Sequence, residues 1–412
     1  MSPLPRLTVI CPGRVAGGVN LLLGRAAAEL HRAHGYELRL VDFTDGAVRR
    51  LWLEDGLTFE FQEYQPGRRQ SLAPTDIVLF SLLLGRLLER RFEIPPSTRL
   101  LAWSTAPQDA FKYLPLAFLF NRSSWGMKAW VARWLHRAHA RRIRAFLTAG
   151  AARGGVLFMD AHNQEVAAEV FGVEAPPAIV PVCTAPAERP PRAILPPGRR
   201  AYWVGRIEDF KTEALLGFVR AVFARPGHPC FDEVVVIGDG EDLPWVRERC
   251  AGLPVVFRGH LAHSALVAEI SAQASLVAGH GLSVLEAARL AVPALVVDGT
   301  YDPVPVDRFR AEWLHRCPAG HVGCILPARS LGGRPLSVCL REFQADPLAL
   351  GQAGYDRWRT QHTPSAVAAR LHAVLQAGGY TVGDFQATGA ARPGWFGRLV
   401  DWAKENLLRR RY

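Results

Sequence analysis

The chain has 412 residues, 49% hydrophobic and 21% charged, and a formal net charge of +11. Such a balance excludes a disordered chain, and the length exceeds one ordinary core, so two domains of roughly 190–210 residues each are expected. No apolar run approaches the ~20 residues a membrane-spanning helix needs, since 77–84 and 114–120 are too short.

The first strand is expected at 7–11, with no basic region followed by an apolar stretch ahead of it, so a cytoplasmic chain is expected. Gly17-Gly18-Val19-Asn20 then opens a helix running to about residue 34. A Gly-Gly pair at a helix start lets backbone N–H groups approach an anion or a sugar hydroxyl, and it serves equally as a tight turn. Strands at 37–43, 77–80, 99–103 and 155–159 alternate with helical stretches, the rhythm of a parallel sheet with crossover helices. A helix at 160–171 and a strand at 178–182 close the first domain, 1–188.

A Pro-rich passage at 186–198 supplies the linker, set at 189–199. The second domain, 200–377, restarts the pattern with strands at 201–204, 233–238, 255–258, 276–278 and 294–297 and a late helix at 364–377. The fold class is therefore α/β, two doubly wound domains with strand carboxyl ends meeting at a cleft. Residues 378–412 form a loose segment and then an amphipathic terminal helix carrying Trp395, Trp402 and Arg409-Arg410-Arg411.

The seven cysteines include no Cys-x-x-Cys pair. Cys317 and Cys324 with His315 and His321 match no zinc spacing, so free thiols in a reducing compartment, and no metal, are expected.

Charge is unevenly placed. Between Asp109 and Asp160 there is no acidic residue, yet nine cations fall there, from Lys112 to Arg153. Within 122–146 they mix with Trp125, Trp130, Trp134, Ile143 and Phe146. Basic and aromatic residues on a helical stretch suit an anionic lipid surface, and 395–411 offers a second contact of that kind. The terminal helix fits equally a segment packed back on the domains. Nucleic acid is set aside, because no nucleic-acid fold signature is present.

Chemistry concentrates in two places. In Tyr202-Trp203-Val204-Gly205-Arg206-Ile207-Glu208-Asp209-Phe210-Lys211 a strand breaks at Gly205 and delivers Arg206 and Lys211 to one loop. Two fixed cations at a strand's carboxyl end are placed for a diphosphate. The second is Gly279-His280-Gly281-Leu282-Ser283-Val284-Leu285-Glu286, where a helix from Ser283 offers N–H groups to an anion and Glu286 lies one turn inside it. A dinucleotide site is rejected, since neither half has Gly-x-Gly-x-x-Gly with a following acid.

Together these segments resemble the donor-binding half of the GT-B glycosyltransferases, specifically the retaining family 4-like enzymes (glycosyl transferases group 1). The Gly-Arg-x-x-x-x-Lys pattern matches at Gly205, Arg206 and Lys211, and Gly-x-x-x-Leu-Glu-Ala matches at Gly281 and Glu286. Ile237-Gly238-Asp239-Gly240 and Arg258-Gly259-His260 match further landmarks, and Gly17-Gly18-Val19 matches the element after the first strand. The resemblance implies a transferase using a nucleotide-diphosphate sugar, with no cofactor. Arg206 and Lys211 would neutralise the leaving diphosphate, and Glu286 would hold ribose hydroxyls. Gly17, Gly18, Gly205, Gly238, Arg258, Gly259, His260, Gly279, His280, Gly281, Leu282 and Ser283 complete the donor site. The acceptor would be a glycan or a lipid-linked sugar at the inner face of the cytoplasmic membrane, in surface polysaccharide or glycolipid biosynthesis.

One departure stands out. The family's first glutamate, eight residues before the second, is Ala278 here, so its sugar contact falls to His280, Ser283 or a group in the first domain, or is lost. The family's first-domain histidine also has no counterpart in 103–109, where Asp109 fits either a general base or a helix N-cap. Two alternatives follow: a GT-B scaffold without catalysis, and another GT-B enzyme such as a nucleotide-sugar epimerase.

Overall fold

The computed structural model describes residues 4–392 apart from 16, 121, 175–177, 187–193, 197 and 225–229. The chain divides into two compact units. One combines the residues up to Cys183 with those from Pro364 onward, and the other runs Thr184–Thr363.

The first unit is built on seven strands: β1 (Arg6–Ile10), β2 (Glu37–Asp42), β3 (Glu60–Glu63), β4 (Ile77–Ser81), β5 (Arg99–Ser104), β6 (Val156–Phe158) and β7 (Ala178–Ile179). They pair in the order β3-β2-β1-β4-β5-β6-β7, all parallel. Strands β1, β4 and β5 read as near-continuous apolar runs because both faces of the sheet are covered. Strand β3 escapes a sequence reading, since Glu-Phe-Gln-Glu is a polar edge. The helix Gly18–His34 buries Leu22, Leu23, Ala26, Ala27 and Leu30, and ends at Gly35 in the left-handed region, whose N–H donates to His31 O.

Two expectations about the C-terminal part are corrected. Helix Pro364–Ala377 belongs to the first unit and not to a second domain ending at 377. It buries Val367, Ala368, Leu371 and Leu375, and His372 Nδ1 lies 3.1 Å from Tyr36 Oη. The segment after it is not loose up to Arg392. Tyr380 O accepts Leu100 N–H at 2.9 Å, Thr381 and Asp384 form a capping box, and Phe385 enters the core against Phe146. The terminal helix expected beyond Pro393, with its basic residues at 395–411, lies outside the described residues, as does most of the 189–199 linker.

The basic stretch is also divided differently. Ser124 caps the helix Trp125–Trp130, which continues through a π turn, Val131–Leu135, before the helix Arg137–Ala152. Ile143 and Phe146, expected on its surface, are core residues with no exposure.

The second unit repeats the arrangement with β8 (Arg200–Val204), β9 (Glu233–Ile237), β10 (Val255–Gly259), β11 (Leu276–Gly279) and β12 (Ala294–Val296). Two further strands, β13 (Arg310–Trp313) and β14 (Arg334–Pro335), are antiparallel additions at one edge. The order is β10-β9-β8-β11-β12-β13-β14. Trp203, Phe218, Val236 and Trp313 anchor its core. Among the described residues, no helix is long and apolar enough to cross a membrane.

Candidate functional site

In the second unit β8 has β9 on one side and β11 on the other, so the loops leaving β8 and β11 diverge. Such a reversal leaves a crevice at the strand carboxyl ends, where ligands bind in open α/β sheets. The loop after β8 is pinned by Gly205 N–H to Ile237 O (3.0 Å) and Ile207 N–H to Asp239 O (2.9 Å). Glycine is required at 238: its φ is +150°, and a Cβ there would sit 1.9 Å from Gly205 O. Beside this junction is a cavity of about 710 Å³, lined among others by Arg206, Glu208, Gly238, Asp239, Glu241 and His260. That size suits a small-molecule ligand.

The two cations differ. Arg206 is exposed and pairs with Glu208. Lys211, in the first turn of the helix Phe210–Phe223, is half-buried, and among the described residues no carboxylate lies within ion-pair distance. Burial, and then the Arg206 charge, hold its pKa below the ordinary lysine value. Glu208 opposes this shift from beyond ion-pair distance, so the Lys211 ammonium is kept partly dry with its charge only partly offset. The loop between them stores strain, with Asp209 at φ +58°.

From the β11 side, His280 packs on Phe210 with ring centroids 5.3 Å apart. Both its ring nitrogens are buried without a hydrogen-bond partner. Burial and the Lys211 charge push its pKa down to about 3, so it stands as a neutral imidazole near pH 7. Lys211 and His280 therefore bring a cation outside ion-pair distance of any carboxylate among the described residues and an unused donor–acceptor ring to one switch point.

Other expected groups are already engaged. The helix, expected from Ser283, begins at Leu282, and Gly281 N–H donates to Val322 O at 2.7 Å. Ser283 Oγ donates to His280 O at 3.0 Å. Glu286 is buried between Arg289, whose Nε lies 2.5 Å from Oε2, and His263, whose Nε2 lies 3.4 Å from Oε1. Arg289 in turn donates to Pro186 O at 2.7 Å. Ala278 lies wholly inside β11.

Of the residues chosen from sequence, Gly205, Arg206, Gly238 and His260 line the cavity. Arg258 turns toward Glu269, 3.8 Å away, and Gly259 O accepts Gly238 N–H at 2.9 Å. Gly279 ends β11 at the head of the His280 loop. Glu208, Asp239, Glu241, Phe210 and His263 were missed. Glu208 carried a signal, two positions from Arg206 in the strand-end loop, and Asp239 lies within the Ile237-Gly238-Asp239-Gly240 landmark.

In the first unit Gly17 caps the helix Gly18–His34, and nothing lies within 4 Å of where its Cβ would be. The neighbouring polar groups are occupied. Asp42 accepts Gly13 N–H (2.9 Å) and Phe43 N–H (2.8 Å), while Cys11 Sγ lies 3.1 Å from Asn20 Oδ1. Asp109, expected as either a general base or a helix N-cap, is engaged in a turn. It is 2% exposed and accepts N–H bonds from Thr105 (2.9 Å) and Ala106 (3.0 Å), closing the turn after β5. Burial raises its pKa, and the carboxylate also accepts the Thr105 hydroxyl at 3.3 Å, so its oxygen is taken up within its own turn.

No protein-family profile matches the chain, and no curated protein does. Solved structures do. HepE of Anabaena, solved with UDP and glucose, is 13% identical with a TM-score of 0.55, over 90% of this chain and 99% of that one. A glycosyltransferase from Rickettsia africae is 11% identical with a TM-score of 0.51, over 90% and 99%. The N-terminal domain of a Candida albicans trehalose-6-phosphate phosphatase is 11% identical with a TM-score of 0.50, over 90% and 97%. At these identities the likeness establishes the fold, and the chain has the GT-B fold.

Proposed function

We propose that this chain is a glycosyltransferase that moves a sugar from a nucleotide-diphosphate donor to the hydroxyl of a glycan or lipid-linked acceptor. The observation that carries the reading is Lys211, half-buried outside ion-pair distance of any carboxylate among the described residues and beside the unpartnered ring of His280, at the switch point of the second sheet. The HepE structures hold UDP or UDP-glucose on the same fold, which supports a nucleotide sugar as the partner.

In the reaction, the bond from the anomeric carbon to the diphosphate oxygen breaks and the electron pair leaves with the phosphate. Lys211 and Arg206 offset that growing charge, which a fixed cation does without reorganising. Arg206 exchanges Glu208 for the phosphate. The acceptor oxygen bonds the anomeric carbon, and its proton passes to the departing phosphate, since Asp109 is spent on its own turn. Reaction on the leaving-group face gives retention. Neutral His280 takes the sugar-hydroxyl contact that Ala278 cannot make.

Membrane association belongs to the same reading. Phe118, Leu119, Met127, Trp130, Trp134 and Leu135 are exposed, Trp134 by 73%, and Lys112, Arg133, Arg137 and Arg141 are exposed among them. His136, beside the π turn, bonds the Pro115 carbonyl and joins 115–120 to 131–136. Rings at the interface and cations at phosphates fit an anionic leaflet, which suits surface polysaccharide or glycolipid biosynthesis.

A thermal-shift panel of nucleoside diphosphates and their sugar conjugates tests the donor half. One nucleotide should stabilise the wild type and fail to stabilise Lys211→Ala. No response to any of them overturns the reading. A response without turnover on any acceptor moves the scaffold alternative forward, which Ala278 and the engaged Glu286 favour. Anionic vesicles at low salt should recruit the protein, and Trp130→Ala/Trp134→Ala should abolish it. Failure to bind removes the membrane part alone.

A further inference from the structure

We propose that Asp298, His321 and Cys324 form a binding site for one zinc-class divalent cation, which fastens the loop before Leu326 to the end of β12. The three donor atoms lie within 4.8 Å of one another. Asp298 and Cys324 are buried and His321 is half-buried. Asp298 follows β12 at its carboxyl end. The returning chain is laid beside it by Gly299 N–H to Cys324 O (2.7 Å) and Leu326 N–H to Gly299 O (2.9 Å). On its other side Gly281 N–H holds Val322 O at 2.7 Å, so the His-Val-Gly-Cys run is clamped at both edges.

The distances fit coordination. Cys324 Sγ is 3.3 Å and His321 Nε2 is 3.5 Å from Asp298 Oδ1. Tetrahedral bonds of about 2.0–2.3 Å put neighbouring donors roughly 3.3–3.6 Å apart. The carboxylate is also oriented by backbone donors, Gly332 N–H to Oδ2 at 3.0 Å and Cys324 N–H to Oδ1 at 2.9 Å, and the second holds Oδ1 beside the Cys324 thiol. Gly323, at φ +99°, cannot carry a side chain, since its Cβ would meet His280 Cβ at 2.5 Å.

The donor set decides the metal. Calcium and magnesium take oxygen ligands, whereas one sulfur, one imidazole and one carboxylate suit zinc. Three protein ligands leave the fourth position open. Binding takes the thiolate, so the Cys324 proton is released to solvent and affinity falls with pH. None of this rests on the glycosyltransferase reading.

Full-length protein, stripped with chelator and desalted, would be titrated with Zn²⁺ against a chromophoric chelator, and with Co²⁺ while following the thiolate-to-cobalt absorption. One ion per chain is expected, with a raised melting temperature. Cys324→Ser should abolish the cobalt band, and His321→Ala should weaken zinc at least about 100-fold, while Cys317→Ser, which removes a neighbouring thiol, changes neither. Matching far-ultraviolet circular dichroism without metal checks folding. Should Cys324→Ser not fold, half-buried His321→Ala carries the test. No zinc uptake by the wild type, or uptake unchanged in His321→Ala, overturns the site and leaves the cluster as a hydrogen-bonded staple.

Discussion

The two sheets share the strand order 3-2-1-4, yet their switch points differ in what they leave unpaired. After β1, Asp42 caps the backbone of Gly13 and Phe43, and Asn20 takes up the Cys11 thiol and the Val15 carbonyl. After β8 and β11, Lys211 has no carboxylate partner and His280 has none for either ring nitrogen, among the described residues. The first junction satisfies these groups internally, with the Ser81 hydroxyl at the end of β4 left over, whereas the second engages Gly281, Ser283 and Glu286 and leaves Lys211 and His280 unpaired. Buried polar groups are normally paired, and the unpaired ring of His280 beside Lys211 is what supports the donor site proposed at the second junction. Topology alone would have offered both.

The largest effect should come from Glu286, whose place in the second junction is structural. Glu286→Ala leaves Arg289, 1% exposed, without its carboxylate. Breaking a buried pair on one side costs about 3–5 kcal/mol. The variant should melt well below the wild type without any nucleotide present, while Glu286→Gln recovers part of the loss. An unchanged melting curve for Glu286→Ala would break the comparison, because it would make this carboxylate as dispensable as an exposed one.

Much of this junction was legible in the chain. A strand ending at Gly205 with Arg206 and Lys211 behind it fixes both cations to one loop, and periodicity gives both sheets. What could not be read is which groups are already taken. Glu286 is engaged by Arg289, three residues on, and by His263, which comes from another helix. Whether Asp109 was a base or a cap stayed open, because a turn that folds back on itself leaves no mark in sequence beyond Thr105 and Ala106. The metal-type cluster hid for the same reason: its third ligand, Asp298, stands at a strand end away from the His-Val-Gly-Cys run. Helix 364–377 could not be assigned to a unit, since an amphipathic pattern does not say which sheet it covers.

Next in size, Lys211→Ala should lose about 1.5–3 kcal/mol of diphosphate binding, the worth of a charge-assisted hydrogen bond in a partly dry site. Arg206→Ala should lose less, because Glu208 and solvent already compensate that cation. Isothermal titration with the nucleotide found active in the thermal-shift panel gives both numbers, and equal losses would contradict the distinction drawn from burial. Asp109→Asn belongs to the first unit's pattern of internal satisfaction. It should cost about 1–2 kcal/mol of stability through weakened backbone bonds and leave turnover per folded molecule unchanged. A collapse of kcat in folded Asp109→Asn would restore that carboxylate as the base.

The effect smallest near neutral pH is a pH dependence carried by His280. Its folded pKa is about 3, against the ordinary histidine value of 6.5, because burial and the Lys211 charge oppose protonation. As pH falls through the ordinary value the unfolded chain takes up a proton and the folded chain does not. The unfolded state therefore binds more protons between pH 6.5 and about 3, and stability falls with pH across that window, by at most about 1.4 kcal/mol per unit for one group. His139 in the first unit is also pushed down, to about 4, and adds the same sign over a narrower range. His280→Gln should flatten the pH dependence of melting below pH 6.5, and His139→Gln should flatten only the upper part of the same range. If His280→Gln melts with the full wild-type pH dependence, the ring is not held neutral by its surroundings, and the contrast between the two switch points rests on Lys211 alone.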